Sequence, residues 1–239
     1  MSPRERRCVV LFDLDGTLVE SALGSPSAGL LAMNEAAFRL TGAQNLGDPK
    51  EFAGRTDVQI ARMLLDAGSF PFPRHNAVEE LVGVYVKELE RYIRERPYAA
   101  LGAPRDAVSA LERAGAIVGL GTGNVPRGAA LKLASAQLLD VFDLALGGYG
   151  DDGDARSEVL ARGVERCDPS GALPVVIVGD TPRDIEAAHA IGASCVGVPF
   201  KNNTAEVLRN AGADIVVSAV DGGMAQTVSR LLGLPSQRG

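Results

Sequence analysis

Residues 9–20 read VVLFDLDGTLVE. Val9, Val10, Leu11 and Phe12 form an unbroken apolar run, and Leu14 stands between two carboxylates, Asp13 and Asp15, with Gly16 and Thr17 behind them. A run without polar alternation reads as a strand covered on both faces, as in a parallel sheet. Charge at the mouth of such a strand costs free energy unless something pairs with it. What meets those two acids therefore decides both fold and function.

Similar runs recur at 8–12 (CVVLF), 117–121 (IVGLG), 144–148 (LALGG), 175–179 (VVIVG), 195–198 (CVGV) and 214–217 (DIVV). Helical stretches are expected between them, near 104–114, 126–136, 156–167, 182–191 and 204–211. Several close on glycine, in ERAG, HAIG and RNAG, as a helix C-terminus does. The alternation predicts an α/β protein with a doubly wound, mostly parallel sheet. From Val19 to Arg96 it stops. No strand is expected there, only helices near 27–41, 56–67 and 75–96, joined by turns in GDPKEFAGR and GSFPFPRH. Leu81, Val84, Tyr85, Leu89, Tyr92 and Ile93 lie near helical spacing with charges opposite, and Pro97 ends the helix. The expected organisation is an α/β core from 1–18 and 97–239, with an all-helical insert at 19–96.

The chain has 239 residues, 46% of them hydrophobic and 23% charged, with a net charge of −6. That balance is an ordinary globule's. The negative sign argues against nucleic acid and against an anionic membrane surface, and RERR at 4–7 is too short to reverse it. Cys8, Cys167 and Cys195 lack metal-ligand spacing. No signal peptide and no membrane span is read, so a reduced, cytoplasmic protein, monomeric or homodimeric, is the expectation.

In open α/β sheets ligands bind beyond the carboxyl ends of the strands. Those ends carry Asp13 to Thr17, then Thr122-Gly123-Asn124, then Asp180 with Thr181, Pro182, Arg183 and Asp184; Arg156 begins a helix before the last of these strands. Carboxylates gathered in one place repel one another unless a cation intervenes. An all-oxygen set favours a hard ion, Mg²⁺ before Zn²⁺. Thr122, Asn124 and the Gly123 amide are donors suited to phosphate oxygens, and Arg156 adds fixed positive charge.

DLDGT, TGN, Arg156 and GDTPRD together resemble the four motifs of the haloacid dehalogenase-like (HAD) hydrolases, in their phosphoglycolate phosphatase-like branch. The resemblance spans the chain and implies a Rossmann-like core with 19–96 as a helical cap. It implies a Mg²⁺-dependent phosphatase acting on a small-molecule phosphate ester. By position, Asp13 is similar to the nucleophile that forms an aspartyl-phosphate, and Asp15 to the general acid and base. The resemblance places Mg²⁺ on Asp13, the Asp15 carbonyl and Asp180, with Asp184 beside it or acting through water. Thr122, Gly123 and Asn124 match the phosphate-binding motif. The third motif is usually lysine, and here Arg156 stands in its place. Lys132 lies too early in chain order for that role.

His75 and His189 are isolated from each other and are expected at the surface or in packing. In GRTD (54–57), Thr56 or Asp57 can cap a helix, and Arg55 is a solvated charge or a substrate contact from the cap. Competing readings are a phosphosugar mutase of the same fold and a non-catalytic binding module. A dehalogenase or a phosphonate hydrolase fits Asp15 less well.

Overall fold

The structure, a computed structural model, describes residues 6–44, 49–68 and 76–234. Strands β1 (Cys8–Phe12), β4 (Ala116–Gly121), β5 (Gly147–Gly148), β6 (Val175–Gly179), β7 (Ser194–Gly197) and β8 (Ile215–Val216) form one sheet in the order β5-β4-β1-β6-β7-β8. Every pairing in it is parallel. Val10 and Phe12 of β1 enter one apolar cluster and Val9 and Leu11 the other, one on each face. This is why the run shows no alternation.

Helices α5 (Pro104–Arg113), α6 (Pro126–Ser135), α7 (Arg156–Cys167), α8 (Pro182–Ala190) and α9 (Ala205–Asn210) cover the sheet, within a residue of their expected bounds. Helix α10 (Met224–Leu231) follows the last strand and was not read from the sequence. The expected strand at 144–148 shrinks to two residues. Asp143 takes the amides of Ala145 and Leu146 into a turn, a local bond that competes with the ladder.

Between β1 and α5 lie helices α1 (Ala28–Thr41), α2 (Pro49–Phe52), α3 (Asp57–Ala67) and α4 (Ala77–Glu95). The apolar faces of α1, α3 and α4 pack together through Met33, Ala36, Leu64, Leu81, Tyr85 and Leu89. Each large buried side chain there contributes about 1.5–3 kcal/mol. The expectation of no strand between Val19 and Arg96 is corrected. Strand β2 (Val19–Ser21) pairs antiparallel with β3 (Tyr98–Ala100), so a two-stranded ribbon carries the chain out to the helices and back. Three-residue strands are too short to show periodicity. Among the described residues, no helix is long and apolar enough to cross a membrane.

His189 meets Asp214 at 3.2 Å on the surface, as expected of a non-ligand. His75, Arg4 and Glu5 lie outside the described residues, and Arg6 donates to the Ala116 carbonyl.

Candidate active site

Strand β1 lies between β4 and β6, where the strand order reverses, and all three run parallel. Their carboxyl ends therefore open together into one crevice. Asp13 leaves β1 with its amide still bonded to the Val178 carbonyl of β6, at 2.8 Å. Gly16, at φ +85°, turns the chain directly behind it. A side chain at Gly16 would lie 2.5 Å from Asp180 Oδ2, so only glycine permits this approach.

The ligand oxygens of Asp13, Asp180 and Asp184 lie within 4.8 Å of one another, and all three residues are buried. Arg156, the first residue of α7, reaches under them. Its Nη2 lies 2.6 Å from Asp13 Oδ1, 2.7 Å from Asp184 Oδ1 and 2.8 Å from the Gly121 carbonyl. Arg156 was read as standing where lysine is usual, and the structure brings its guanidinium to the acids. Asp184 is held from its other side: Oδ2 accepts from the amide and hydroxyl of Thr181, which caps α8.

Asp15 sits on the open side, its side chain 43% exposed. Both bonds it accepts fall on Oδ2, from Asn124 Nδ2 at 2.7 Å and from Lys132 Nζ at 2.6 Å. Asn124 also donates to Thr122 Oγ1 at 2.9 Å, and the Thr122 amide bonds the Gly148 carbonyl. Thr122-Gly123-Asn124 thus follows β4 as a loop stiffened by its own side chains. Lys132 was set aside on chain order, yet it reaches the second acid. A signal existed: Gly128, Ala129 and Leu133 form the buried face of α6, and Lys132 interrupts that face.

Burial pushes Asp13 up to about 6, with Arg156 pulling down and Asp184 pushing up. Burial, and then repulsion from Asp13 and Asp184, push Asp180 up to about 9. Burial alone would lower Lys132, but Asp15, with Tyr98, Tyr85 and Asp57 adding to it, outweighs that and holds the ammonium above its usual range.

Asp180 Oδ1 is buried with no hydrogen-bond partner among the described residues. Four carboxylates, those of Asp13, Asp15, Asp180 and Asp184, face two cations, Arg156 and Lys132. With all four ionised the excess is two negative charges, which one divalent cation would offset; burial and the same crowding are what push Asp180 up. The donors are all oxygen, the set a hard ion takes. A divalent metal fits the residues present.

The helices between β2 and β3 close on the same crevice. Thr56 caps α3 with a full capping box, which frees Asp57 to reach across. The Asp57 amide donates to the Gly123 carbonyl at 2.7 Å, and its Oδ2 accepts from the Val125 amide at 2.9 Å. A side chain at Gly123 would lie 2.5 Å from the Arg55 carbonyl. The Arg55 side chain turns elsewhere, its Nε donating to the Glu51 carbonyl at 2.7 Å. On the far side Arg62 pairs with Asp154, and Gln59 donates to the Asp154 carbonyl. Asp57→Ala leaves the buried Val125 amide unpaired. The expected outcome is a loss of about 1–3 kcal/mol, seen as a thermal midpoint lower by about 2–10 °C. A midpoint at the parent value would show that the Asp57 bond contributes nothing.

The haloacid dehalogenase-like hydrolase model matches residues 9–192. The chain belongs to that family. Its sequence is similar to the phosphoglycolate phosphatases of Shigella dysenteriae (27% identical, 89% of each chain covered) and Salmonella typhimurium (28%, 87% of each). It is an enzyme of the HAD phosphatase type. The fold is shared with CbbY from Rhodobacter sphaeroides in complex with phosphate, at a TM-score of 0.69 and 19% identity, covering 90% of this chain and 95% of that one. It is shared also with β-phosphoglucomutase from Clostridium difficile, at 0.67 and 16%, covering 95% and 97%. At such identities the likeness concerns the fold alone.

Proposed function

We propose that this HAD enzyme is a Mg²⁺-dependent phosphomonoester hydrolase of a small metabolite, working through an aspartyl-phosphate on Asp13. One observation carries the reading: a buried carboxylate cluster with an excess of two negative charges opens beside the Thr122–Asn124 loop. Asp13, the Asp15 carbonyl and Asp180 would hold the cation, with Asp184 adjoining. When bound, the ion would offset the negative charge that gathers as a phosphate approaches the carboxylates.

The chain's own residues do the rest. The Asp13 carboxylate attacks phosphorus, the bond from phosphorus to the ester oxygen breaks, and that oxygen takes a proton from the Asp15 carboxyl. Asp15, now a carboxylate, removes a proton from water as the water oxygen attacks the aspartyl-phosphate. Asp13 leaves as a carboxylate, and inorganic phosphate is released. The Thr122 hydroxyl, the Gly123 amide and the Asn124 side chain orient the transferring group, and Arg156 holds Asp13 on its attacking line. Residues 19–96 act as a cap that excludes water from the intermediate, and Arg55, once released from the Glu51 carbonyl, contacts the remainder of the substrate. The curated relatives make 2-phosphoglycolate the first ester to assay.

The test is release of inorganic phosphate from a panel of metabolite phosphates, before and after chelation. Activity is expected to vanish in excess chelator, to return with Mg²⁺, and to fall when Ca²⁺ replaces it, because Ca²⁺ takes more ligands at longer distances. Full turnover in chelator would reject the metal. Ester consumption without phosphate release would mark a phosphoryl transferase instead.

A further inference from the structure

We propose that Lys132 is a positioning residue for Asp15, whose ammonium fixes carboxylate oxygen Oδ2 so that Oδ1 faces the oxygen leaving or attacking phosphorus. The inference rests on the reading of Asp15 as acid and base. Lys132 is only 5% exposed, and an ammonium is rarely buried without a partner because its desolvation is costly. The partner here is Asp15 Oδ2 at 2.6 Å. Packing does not call for lysine at this place: its neighbours on the buried face of α6 are Gly128, Ala129 and Leu133.

The site around Nζ is built from three elements. From β3, the Tyr98 ring lies under the ammonium, with Nζ 5.3 Å from its centroid, near enough for attraction to the ring face. From α1, Gly29 donates its amide to the Tyr98 hydroxyl at 3.1 Å, and a side chain at Gly29 would stand 3.6 Å from Nζ. From α6, Ser135 accepts the Tyr98 amide at 2.9 Å. The lysine is thereby held against Asp15 at Oδ2.

Asn124 donates to the same oxygen. One donor leaves a carboxylate free to swing about its own bond. Two donors from separate elements, the loop after β4 and the helix after it, fix its plane. The Asp15 side chain remains 43% exposed, and both clamping bonds fall on Oδ2. General acid and base help depends on the carboxyl group standing within hydrogen-bond reach of the reacting oxygen. Small misplacements there are costly.

The experiment compares Lys132→Met, Lys132→Arg and Asp15→Ala in the full-length Mg²⁺ enzyme on a nitrophenyl phosphate and an alkyl phosphate, with a melt of each variant. An alkyl leaving group needs the proton, whereas nitrophenolate departs nearly unaided. The rate read is the first-turnover burst of leaving group, because Asp15 also serves as base in the second step common to both esters. Lys132→Met is expected to slow that burst on the alkyl ester by about 30- to 100-fold, near the lower end of what general acid help supplies. On the aryl ester the loss of burst rate is expected below about threefold, with KM for either ester within about threefold of the parent. Lys132→Arg, which keeps charge and donors, is expected to recover part of the alkyl rate. Added to Asp15→Ala, Lys132→Met is expected to cause no further loss, as for residues acting through one group. Lys132→Gln carries the same comparison if Lys132→Met does not fold.

Equal losses on both esters, or full additivity with Asp15→Ala, would make Lys132 a stabiliser of the fold and overturn the proposal. A leaving-group effect in Asp15→Ala but not in Lys132→Met would overturn Lys132 alone. No leaving-group effect in Asp15→Ala would overturn the reading of Asp15, and Lys132 with it.

Discussion

Asp13→Asn is expected to lower turnover by about ten-thousandfold or more while leaving the protein folded. An amide is a poor nucleophile, and losses of this order follow when an attacking group is removed. The prediction on stability is as specific. The amide oxygen of asparagine can still accept from Arg156 Nη2, now 2.6 Å from Asp13 Oδ1. Burial and Asp184 already push the Asp13 carboxyl up to about 6, so a neutral group at this position removes repulsion rather than adding it. The thermal midpoint is therefore expected at or above the parent value. Phosphate release and a melt check the two halves, and acid-quenched mass spectrometry should find a phosphoryl adduct on the parent and none on the variant. Activity within tenfold of the parent would remove Asp13 as nucleophile.

The strands and covering helices of the α/β layer were legible because burial on both faces leaves a continuous apolar run, as in Val9 to Phe12. The ribbon of Val19–Ser21 and Tyr98–Ala100 was not, because three residues cannot display a period and the pairing joins segments far apart in sequence. Asp13, Asp15, Asp180 and Asp184 were legible because each follows a strand end, and a parallel sheet gathers such ends. Lys132 was set aside for the third-motif role on chain order, and its separate contact with Asp15 went unread because that follows from helix geometry. Two turns into α6, a residue on the buried face points back toward the strand end that precedes the helix. Thr56 and Asp57 were both read as able to cap the helix; Thr56 takes that place, and Asp57 bonds the Val125 amide. No pattern local to GRTD can show that, since the partner lies 68 residues away.

Arg156→Met is expected to damage both fold and activity, in contrast with Asp13→Asn. The guanidinium is the cation within hydrogen-bond reach of Asp13 and Asp184, both buried. Burial would lower its pKa, but the two carboxylates outweigh that and hold it above the arginine range. Methionine fills similar space and returns nothing to those oxygens or to the Gly121 carbonyl. Removing one partner of a buried ion pair costs about 3–5 kcal/mol, which for a domain of this size lowers the thermal midpoint by on the order of 10 °C. Turnover is expected to fall at least about a hundredfold, since Asp13 loses the group that orients it. Arg156→Lys separates charge from geometry. Its ammonium can restore the charge and donate to the acceptors that now share Nη2, but its flexible stem lacks the rigid planar group that fixes Asp13, so the midpoint should recover more than kcat. A bound divalent cation would offset part of the same negative charge, so Mg²⁺ is expected to raise the midpoint of Arg156→Met more than that of the parent. An Arg156→Met protein with the parent's midpoint and a rate within tenfold would show that the two carboxylates are held without the arginine.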